Sequence, residues 1–486
     1  MNNQLHYDLS AAARRAMTER GFEPNFPPPV AAELEQLRQH PPQPASSARD
    51  LRGLLWSSID NDTSRDLDQI EYVEPAPNGG HRILIGIADV DAFAPKGSPI
   101  DQHALRETAT VYTGIDIFSM LPEQLSTGWT SLLQDQERIA IVVDFIMDPQ
   151  AKIVGSEIYT ARIVNKAQLA YPSVAAWLEG KAPAPPKVAA SAELQQQLRL
   201  QDDLAEKLRM ERATHGALNL ETIETHPIRV ADGAIDIEAR VKNRATQVIE
   251  DFMIAANGVV ARTFEAKHLS SIRRVVKTPK RWDRIVELAA EKGTQLPAVP
   301  DARPLNDFLN AQQQKDPEHF PDLSLGVIKL LGPGEYVLEK AGEKPEGHFS
   351  LAVQDYTHST APNRRYADLV TQRLLKAMLA GSPTPYSDDE LASIASRCTL
   401  MEDAMRKVTR EMQKRIAAVA MSTHIGQTFN AVATGVNEHG TFVRTLQPAV
   451  DGMLVRGQHG VDVGDELRVT LVRTDPAHGF IDFARA

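Results

Sequence analysis

The amino-acid sequence predicts a multidomain α+β protein. A chain of 486 residues is too long for one ordinary domain. Apolar segments typical of strands, such as 82–90 and 138–145, alternate with long helical stretches. The last part of the chain, from about residue 425, breaks into short strands separated by glycine. We therefore expect a mixed sheet with surrounding helices, followed by a smaller all-β unit.

We predict four units in the chain. Composition marks two of their boundaries, a proline-rich linker at 40–47 and the change to short strands separated by glycine near 426, and the boundary at 380 follows from the family resemblance described below. Residues 1–46 form a small helical module, 47–380 a large mixed-sheet unit, 381–424 a helical connector and 425–486 a barrel. In the first module, two helices flank a proline-rich turn. Such a pair is typical of a helix-turn-helix module that contacts RNA or, more often, of plain packing elements.

Composition and charge exclude several classes of protein. Cys398 is the single cysteine, so neither an internal disulfide nor a CxxC zinc knuckle can form. No uninterrupted apolar run is long enough to span a bilayer, and we expect a cytoplasmic protein. The net charge of -11 argues against indiscriminate coating of nucleic acid, although it allows a local basic channel.

An acidic segment is the strongest chemical signal in the chain. Asp60, Asp62, Asp66 and Asp68 lie within nine residues. Carboxylates brought to one point repel one another unless a cation neutralises them. All-oxygen ligands indicate a hard divalent ion rather than zinc. In one arrangement Asp66 and Asp68 point the same way from extended backbone, and Asp60 reaches in from a turn to complete a catalytic Mg²⁺ site.

Two other interpretations of the acidic segment stay open. One is a solvated charged loop. The other is a helix-loop-helix calcium site, because oxygen-bearing side chains occupy its ligand positions: Asp60, Asp62, Ser64, Asp66, Asp68 and Glu71. Arg65 stands where that motif needs glycine, however, and the segment 82–88 is typical of a strand rather than a helix.

A second polar segment spans residues 356–369. We predict a helix beginning at Thr360 or Ala361 with Pro362 in its first turn, which leaves free amides and the positive end of the helix dipole facing an anion. Arg364 adds a bidentate fork for phosphate. The alternative is an ordinary capped helix with surface arginines, but the polar density favours phosphate binding.

Other polar and aromatic residues carry weaker signals. Glu250 and Asn257 lie seven residues apart on one face of a predicted helix, where surface exposure is the default interpretation. Arg273 and Arg274 are expected to be solvated, although phosphate contact is natural for them. A lone tyrosine such as Tyr112 is more typical of a core or surface position than of base stacking.

The carboxy-terminal unit has the pattern of an OB barrel. Five short strands separated by glycine turns follow residue 426. This fold binds single-stranded nucleic acid on one face, and Phe442 is the candidate stacking residue.

Taken in order, these segments resemble the ribonuclease II family, whose catalytic unit is the RNB domain. The motifs that carry the resemblance lie at 49–52, 59–60, 66–68, 87–90, 120–123, 125–126, 254–257, 348–349 and 356–369. The carboxy-terminal barrel resembles the S1-type barrel that usually closes this family. The resemblance implies a processive 3'-to-5' hydrolytic exoribonuclease that degrades single-stranded RNA to nucleoside 5'-monophosphates. It implies a cofactor of Mg²⁺, with Mn²⁺ as the alternative, and a monomer without organic cofactor or membrane attachment.

By motif position, the resemblance assigns the metal site and the catalytic group. Asp60, Asp66, Asp68 and Gln69 hold the metal, and Asp66 and Asp68 act in catalysis together with Arg364, which steadies the scissile phosphate. Two divalent ions at such a site activate water and neutralise the leaving oxygen.

The resemblance also assigns the contacts with RNA. Tyr112 stacks on the terminal bases, and Tyr171 and Glu250 sense the ribose. Arg365 and Phe442 complete the set of predicted RNA-binding residues.

The sequence departs from the family pattern at three places. Gln69 stands where a fourth acidic residue is usual, and its amide offers a metal one oxygen. Ala361 and Asn363 replace the usual Ser and Ile. Only about 46 residues precede the RNB unit, where cold-shock barrels normally stand.

Gln69 also supports an alternative function, that of a non-catalytic RNA-binding relative with an altered metal site. Against it stands the retention of the other charged motif residues, which are Asp60, Asp66, Asp68, Arg364 and Arg365.

Overall fold

The structure is a computed structural model that describes residues 7–222, 224–229, 235–240, 242–343 and 346–486. The first six residues of the expected helical module lie outside this part of the chain. Within it, no helix is long and apolar enough to cross a membrane. Its helices are α1 (Leu9–Glu19), α2 (Pro28–Gln39), α3 (Pro99–Glu107), α4 (Tyr171–Leu178), α5 (Pro186–Ala189), α6 (Ala192–Thr214), α7 (Arg244–Ala266), α8 (Trp282–Glu291), α9 (Ala302–Lys315), α10 (Phe320–Leu331), α11 (Tyr366–Leu379) and α12 (Asp388–Met421).

The strands before α11 form one large mixed sheet and three short pairs. They are β1 (Arg49–Asp50), β2 (Ser57–Asp60), β3 (Gln69–Pro75), β4 (His81–Ala88), β5 (Val111–Tyr112), β6 (Ile117–Phe118), β7 (Glu137–Met147), β8 (Ile153–Val164), β9 (Ala167–Ala170), β10 (Glu224–Arg229), β11 (Ile235–Arg240), β12 (Ser271–Val275) and β13 (Glu335–Glu339). The seven-stranded sheet has the order β1-β8-β7-β4-β3-β2-β9. Strands β3, β4, β7 and β8 pair in antiparallel fashion, whereas β1 with β8 and β2 with β9 are parallel.

The main core lies between this sheet and the helices that cover it. Central strands β4 and β7 are runs of β-branched and aliphatic residues, and a strand covered by helices buries such residues. Ile85 of β4 and Val143 of β7 share one buried cluster with Phe252 and Ala256 of α7. Helix α7 is therefore fixed against the sheet, beside the strand ends that carry the acidic segment.

The expected amino-terminal helices are present, and their apolar residues serve packing. Asp8 caps α1 by accepting a hydrogen bond from the Ala11 amide at 2.9 Å. The buried face of α1 includes Met17, which joins a cluster with Met412 and Ile416 of α12. This contact holds α1 against the long helix and supports the interpretation of α1 as a packing element.

The carboxy-terminal unit is a closed five-stranded barrel. Its strands are β14 (Thr428–Asn437), β15 (Gly440–Thr445), β16 (Asp451–Arg456), β17 (Glu466–Asp475) and β18 (Phe480–Arg485), in the order β14-β15-β16-β18-β17. Val443, Leu471 and Phe483 fill its core together with Met421 of α12. The predicted α+β fold class, with a mixed sheet and an all-β barrel, is thereby confirmed.

Candidate active site

The acidic segment lies between two strands of the large sheet. Strand β2 ends at Asp60 and β3 begins at Gln69. The two strands are paired at one position, Ser57 opposite Glu71. The amide of Ala88 in β4 donates to the Asp68 carbonyl at 2.9 Å, which ties the end of the loop to the sheet. Because strands flank the loop on both sides, the helix-loop-helix calcium interpretation is wrong.

Asp68 joins this loop to the second polar segment. Its carboxylate is buried, and it accepts hydrogen bonds from the Asn363 amide at 2.9 Å and from Arg364 Nε at 3.2 Å. Burial raises the pKa of Asp68 to about 7, against the opposing effects of the Arg364 guanidinium and the Asn363 amide. Two motifs that are about 295 residues apart in sequence therefore meet at one carboxylate.

The other two predicted aspartate ligands have hydrogen-bond partners nearby. Tyr112 Oη donates to Asp66 Oδ2 at 2.6 Å, and Ser64 Oγ donates to Asp60 Oδ1 at 2.8 Å. Among the residues that the structure describes, no three His, Cys, Asp or Glu side chains are arranged to hold a metal ion. The assignment of Asp60, Asp66, Asp68 and Gln69 as metal ligands stays a prediction.

Glu71 is a buried carboxylate that sequence reasoning considered only for calcium. Its side chain is 0% exposed, and within the described part of the chain neither carboxylate oxygen has a hydrogen-bond partner. Burial, followed by the negative charge of Asp60, raises the pKa of Glu71 well above its usual value. The sequence offers a signal, because Glu71 is an acidic residue between Ile70 and Val73, two apolar positions that the strand buries.

The two predicted ribose sensors lie at helix positions near this carboxylate. Tyr171 is the first residue of α4, and burial together with the charges of Asp60 and Glu71 raises the pKa of its hydroxyl above its ordinary value. Glu250 on α7 forms an ion pair with Lys242 at 2.8 Å and also acts electrostatically on Tyr171. Tyr171 therefore borders the acidic segment and Glu250 lies near Tyr171, and the roles of both residues stay predictions.

The predicted helix start at Thr360 or Ala361 is wrong. Residues 361–364 form a turn, and α11 begins at Tyr366 after an extended Arg365. The Ala361 amide donates to the Asp368 carboxylate at 2.8 Å and the Asn363 amide to Asp68 at 2.9 Å. Carboxylates of the protein thus take two of the amides that we expected to face an anion, and they hold the backbone out of helical geometry.

Arg364 and Arg365 point to different surroundings. Arg365 forms two hydrogen bonds with the fully buried Asp368, at 2.8 and 2.7 Å. The Arg364 side chain is 45% exposed while its Nε contacts Asp68. Arg364 can therefore reach an incoming phosphate, whereas Arg365 is committed to holding the start of α11. Direct RNA contact by either arginine stays a prediction.

Asn257 anchors the second polar segment to α7. It is buried, and its Oδ1 accepts hydrogen bonds from the Ser359 amide at 2.9 Å and from Ser359 Oγ at 2.8 Å. Its Nδ2 donates to Tyr356 Oη at 3.3 Å. Because Asn257 is buried, its default interpretation as a surface residue is wrong. Its partners lie about one hundred residues further along the chain, so the local sequence does not indicate them.

The default interpretation of the basic pair on β12 is also wrong. Arg273 is buried and forms an ion pair with Glu339 at 2.6 Å. The neighbouring Arg274 binds Glu402 of α12 through two hydrogen bonds, at 2.5 and 2.8 Å. These arginines join β12 to β13 and α12, so they are structural rather than solvated.

Phe442, the candidate stacking residue of the barrel, lies on β15. It is half-buried and pairs across the ladder with Met453 of β16 on one side and Gly435 of β14 on the other. Its contact with a base stays a prediction.

Comparisons with known proteins agree with this architecture. The family model described as the RNB domain matches residues 48–381, and the model described as the RNase II-type exonuclease C-terminal S1 domain matches residues 427–486. Ribonuclease R of Vibrio cholerae is 30% identical over 445 residues, which cover 88% of this chain and 53% of that protein. The chain spans between half and two thirds of the length of the curated relatives it matches.

Solved structures share the fold over nearly the whole chain. The structure of Mycoplasma genitalium RNase R in complex with double-stranded RNA is 25% identical, covers 100% of this chain and 84% of its own, and gives a TM-score of 0.84. Yeast Ssd1, a pseudonuclease, gives a TM-score of 0.72 over 96% of this chain and 57% of its own at 17% identity, which shows the fold alone. Since the RNB model covers more than half of the sequence, the chain belongs to the RNB family.

Proposed function

We propose that this protein is a processive 3'-to-5' exoribonuclease that hydrolyses single-stranded RNA to nucleoside 5'-monophosphates. The observation that carries the proposal is the buried Asp68 carboxylate, which binds the Asn363 amide and the half-exposed Arg364. This contact brings the acidic segment and the second polar segment together, and the proposed chemistry requires both in one place. Membership of the RNB family and the similarity to proteins named Ribonuclease R support the proposal.

Nucleases of the RNB family use a divalent metal, and we propose Mg²⁺, with Mn²⁺ as the alternative, for this chain. Asp60, Asp66, Asp68 and Gln69 would hold it. The donor set fits, because it is made of oxygen atoms. The buried Glu71 beside it has two carboxylate oxygens that no described residue hydrogen-bonds. When bound, a divalent ion activates water and stabilises the developing charge on phosphate oxygens.

The side chains of this protein bind and orient the RNA. Arg364 opposes the negative charge that grows on the scissile phosphate. Tyr112 is 42% exposed and stacks on the terminal base while its hydroxyl orients Asp66. Tyr171 borders the acidic segment and Glu250 lies near Tyr171, and together they select ribose over deoxyribose through the 2'-hydroxyl.

The remaining parts of the proposal concern the whole chain. Residues 1–46 form the helical module, 47–380 the catalytic unit, 381–424 the connector and 425–486 the RNA-binding barrel, where Phe442 stacks on a base. Arg365 holds the turn that presents Arg364 to the RNA. The protein acts as a monomer in the cytoplasm, without an organic cofactor or a membrane.

A second candidate function is RNA binding without cleavage. Gln69, in place of an acidic residue, favours it. The likeness to yeast Ssd1 adds that this fold also occurs in a pseudonuclease. The two functions differ in one observable property, the release of nucleotides.

The substitution Asp68→Asn separates the two functions. We expect it to reduce nucleotide release by at least about a hundredfold, because it removes a negative charge from the predicted metal site. RNA affinity, measured by fluorescence anisotropy, should change little. Asp62→Asn, at an exposed position of the same loop, is the control and should behave like the wild type. Equal turnover of Asp68→Asn and the wild type would contradict the proposed catalytic role.

A further inference from the structure

The carboxylate of Glu71 is fully buried and has no hydrogen-bond partner among the residues that the structure describes. An ionised carboxylate is costly to bury unless it is paired or coordinates a metal. A neutral carboxyl also needs a hydrogen bond when it is buried, and Glu71 makes none. Ser57, which pairs with Glu71 across the strands, likewise has an Oγ without a hydrogen-bond partner in the described ranges. Neither protonation state of Glu71 is therefore satisfied by the protein alone.

The position of Glu71 relates it to the predicted metal site. Alternate residues of a strand point to the same face, so Glu71 and Gln69 of β3 share a face of the sheet. Across the strands Glu71 lies opposite Ser57, three residues before Asp60 at the end of β2. Glu71 thus lies beside the acidic segment, two residues after Gln69, whose amide occupies the predicted fourth ligand position.

We propose that Glu71 supplies the fourth carboxylate of the divalent-metal site, in the role that the Gln69 amide cannot fill. The proposal rests on the proposed function, because it concerns the same metal. An amide offers a hard cation a neutral oxygen, whereas a carboxylate also neutralises its charge. With Asp60, Asp66 and Asp68, Glu71 brings the negative charges to four, and the cation gives the buried carboxylate a partner.

Metal binding without RNA tests this role. Titration calorimetry with Mn²⁺ on the full chain would compare the wild type with Glu71→Gln, which keeps the shape of the side chain and removes its charge. We expect the Kd for Mn²⁺ to rise by about 10- to 100-fold. Glu74→Gln is the matched control, since Glu74 lies on the other face of β3 and pairs with Arg82 at 2.8 Å. Its Kd should equal that of the wild type.

Thermal melts supply a second readout and show that each variant is folded. In EDTA, Glu71→Gln should melt at the same temperature as the wild type or higher, because a buried carboxylate without a partner is removed. With Mn²⁺, the rise in Tm should be smaller than in the wild type. If Glu71 only fills the core, Mn²⁺ will raise the Tm of Glu71→Gln and of the wild type by equal amounts.

A double variant tests whether position matters or only charge. Q69D/E71Q moves the carboxylate back to the fourth ligand position and should restore the Kd to within about threefold of the wild type. Equal Mn²⁺ affinity of Glu71→Gln and the wild type would overturn this inference alone. A wild type that binds no Mn²⁺ would overturn it together with the metal site of the proposed function.

Discussion

Arg364 and Arg365 are neighbours of the same type with different surroundings. Arg365 faces Asp368, which is fully buried, and so fixes the turn that precedes α11. Arg364 touches Asp68 and keeps nearly half of its side chain exposed. The position of each arginine in the turn, rather than its residue type, determines which side chain is exposed and can bind a phosphate.

Alanine substitutions should separate these two arginines. Arg365→Ala leaves the Asp368 charge buried and unpaired, so we expect a loss of about 3–5 kcal/mol in the free energy of unfolding. Arg364→Ala should cost less stability but lower kcat by about 10²- to 10³-fold, because it removes a donor that acts on the transition state. Urea unfolding and single-turnover RNA cleavage measure the two effects. The reverse order of the two stability losses would contradict the assignment.

The environment of a single residue is hard to predict from sequence where its partner is distant in the chain. Asn257 and Arg273 were both expected at the surface, yet each is buried with a partner more than sixty residues away. A buried Asn is identified only once the segment that it binds is known. In the sequence, Glu71 has a possible role only as a ligand of the calcium loop. Its lack of hydrogen-bond partners among the described residues is a property of the packed structure.

At the scale of elements, the strand and helix patterns proved reliable. Strands β4 (His81–Ala88) and β7 (Glu137–Met147) lie where the apolar segments 82–90 and 138–145 predict strands, because runs of β-branched and aliphatic residues are a local signal. The start of α11 was placed too early. Its preceding turn depends on Asp68, which is distant in sequence, and no local signal reports that contact.

The end of α3 carries a pH-sensitive contact between elements. Glu107 is buried and accepts a hydrogen bond from the Glu23 amide at 2.8 Å, which ties α3 to the segment after α1. Burial raises the pKa of Glu107 from 4.5 to about 7. The folded state therefore binds more protons than the unfolded state between these values, and its stability falls as the pH rises from about 4.5 to 7.

Glu107→Gln should remove this pH dependence, since the amide oxygen still accepts the hydrogen bond but carries no charge. Below pH 4.5 the variant and the wild type should be equally stable. At pH 8 the variant should be more stable by up to about 3 kcal/mol, the free energy that corresponds to the shift from 4.5 to about 7. Urea unfolding across this range measures the difference.

Glu19→Gln, at the exposed end of α1, is the control and should follow the wild type at every pH. A constant difference between Glu107→Gln and the wild type from pH 4 to 8 would show that Glu107 does not titrate in this window.

At the scale of the whole molecule, α12 joins the parts. Its middle packs against α1 through Met412 and Ile416, and its end contributes Met421 to the barrel core. Arg274 of β12 binds the same helix through Glu402. One long helix thus contacts α1, the strand β12 and the barrel, and it fixes the barrel relative to the candidate active site.

The central claim, processive hydrolysis of RNA from its 3' end, is tested most directly by a time course on a 5'-labelled single-stranded RNA. Its DNA counterpart is run alongside, and each is incubated with Mg²⁺ or with EDTA. We predict that the RNA passes from full length to a short limit product without populated intermediates, with Mg²⁺ present, and that the DNA stays intact. RNA that is bound but not cleaved in Mg²⁺ would contradict the claim and favour the non-catalytic function.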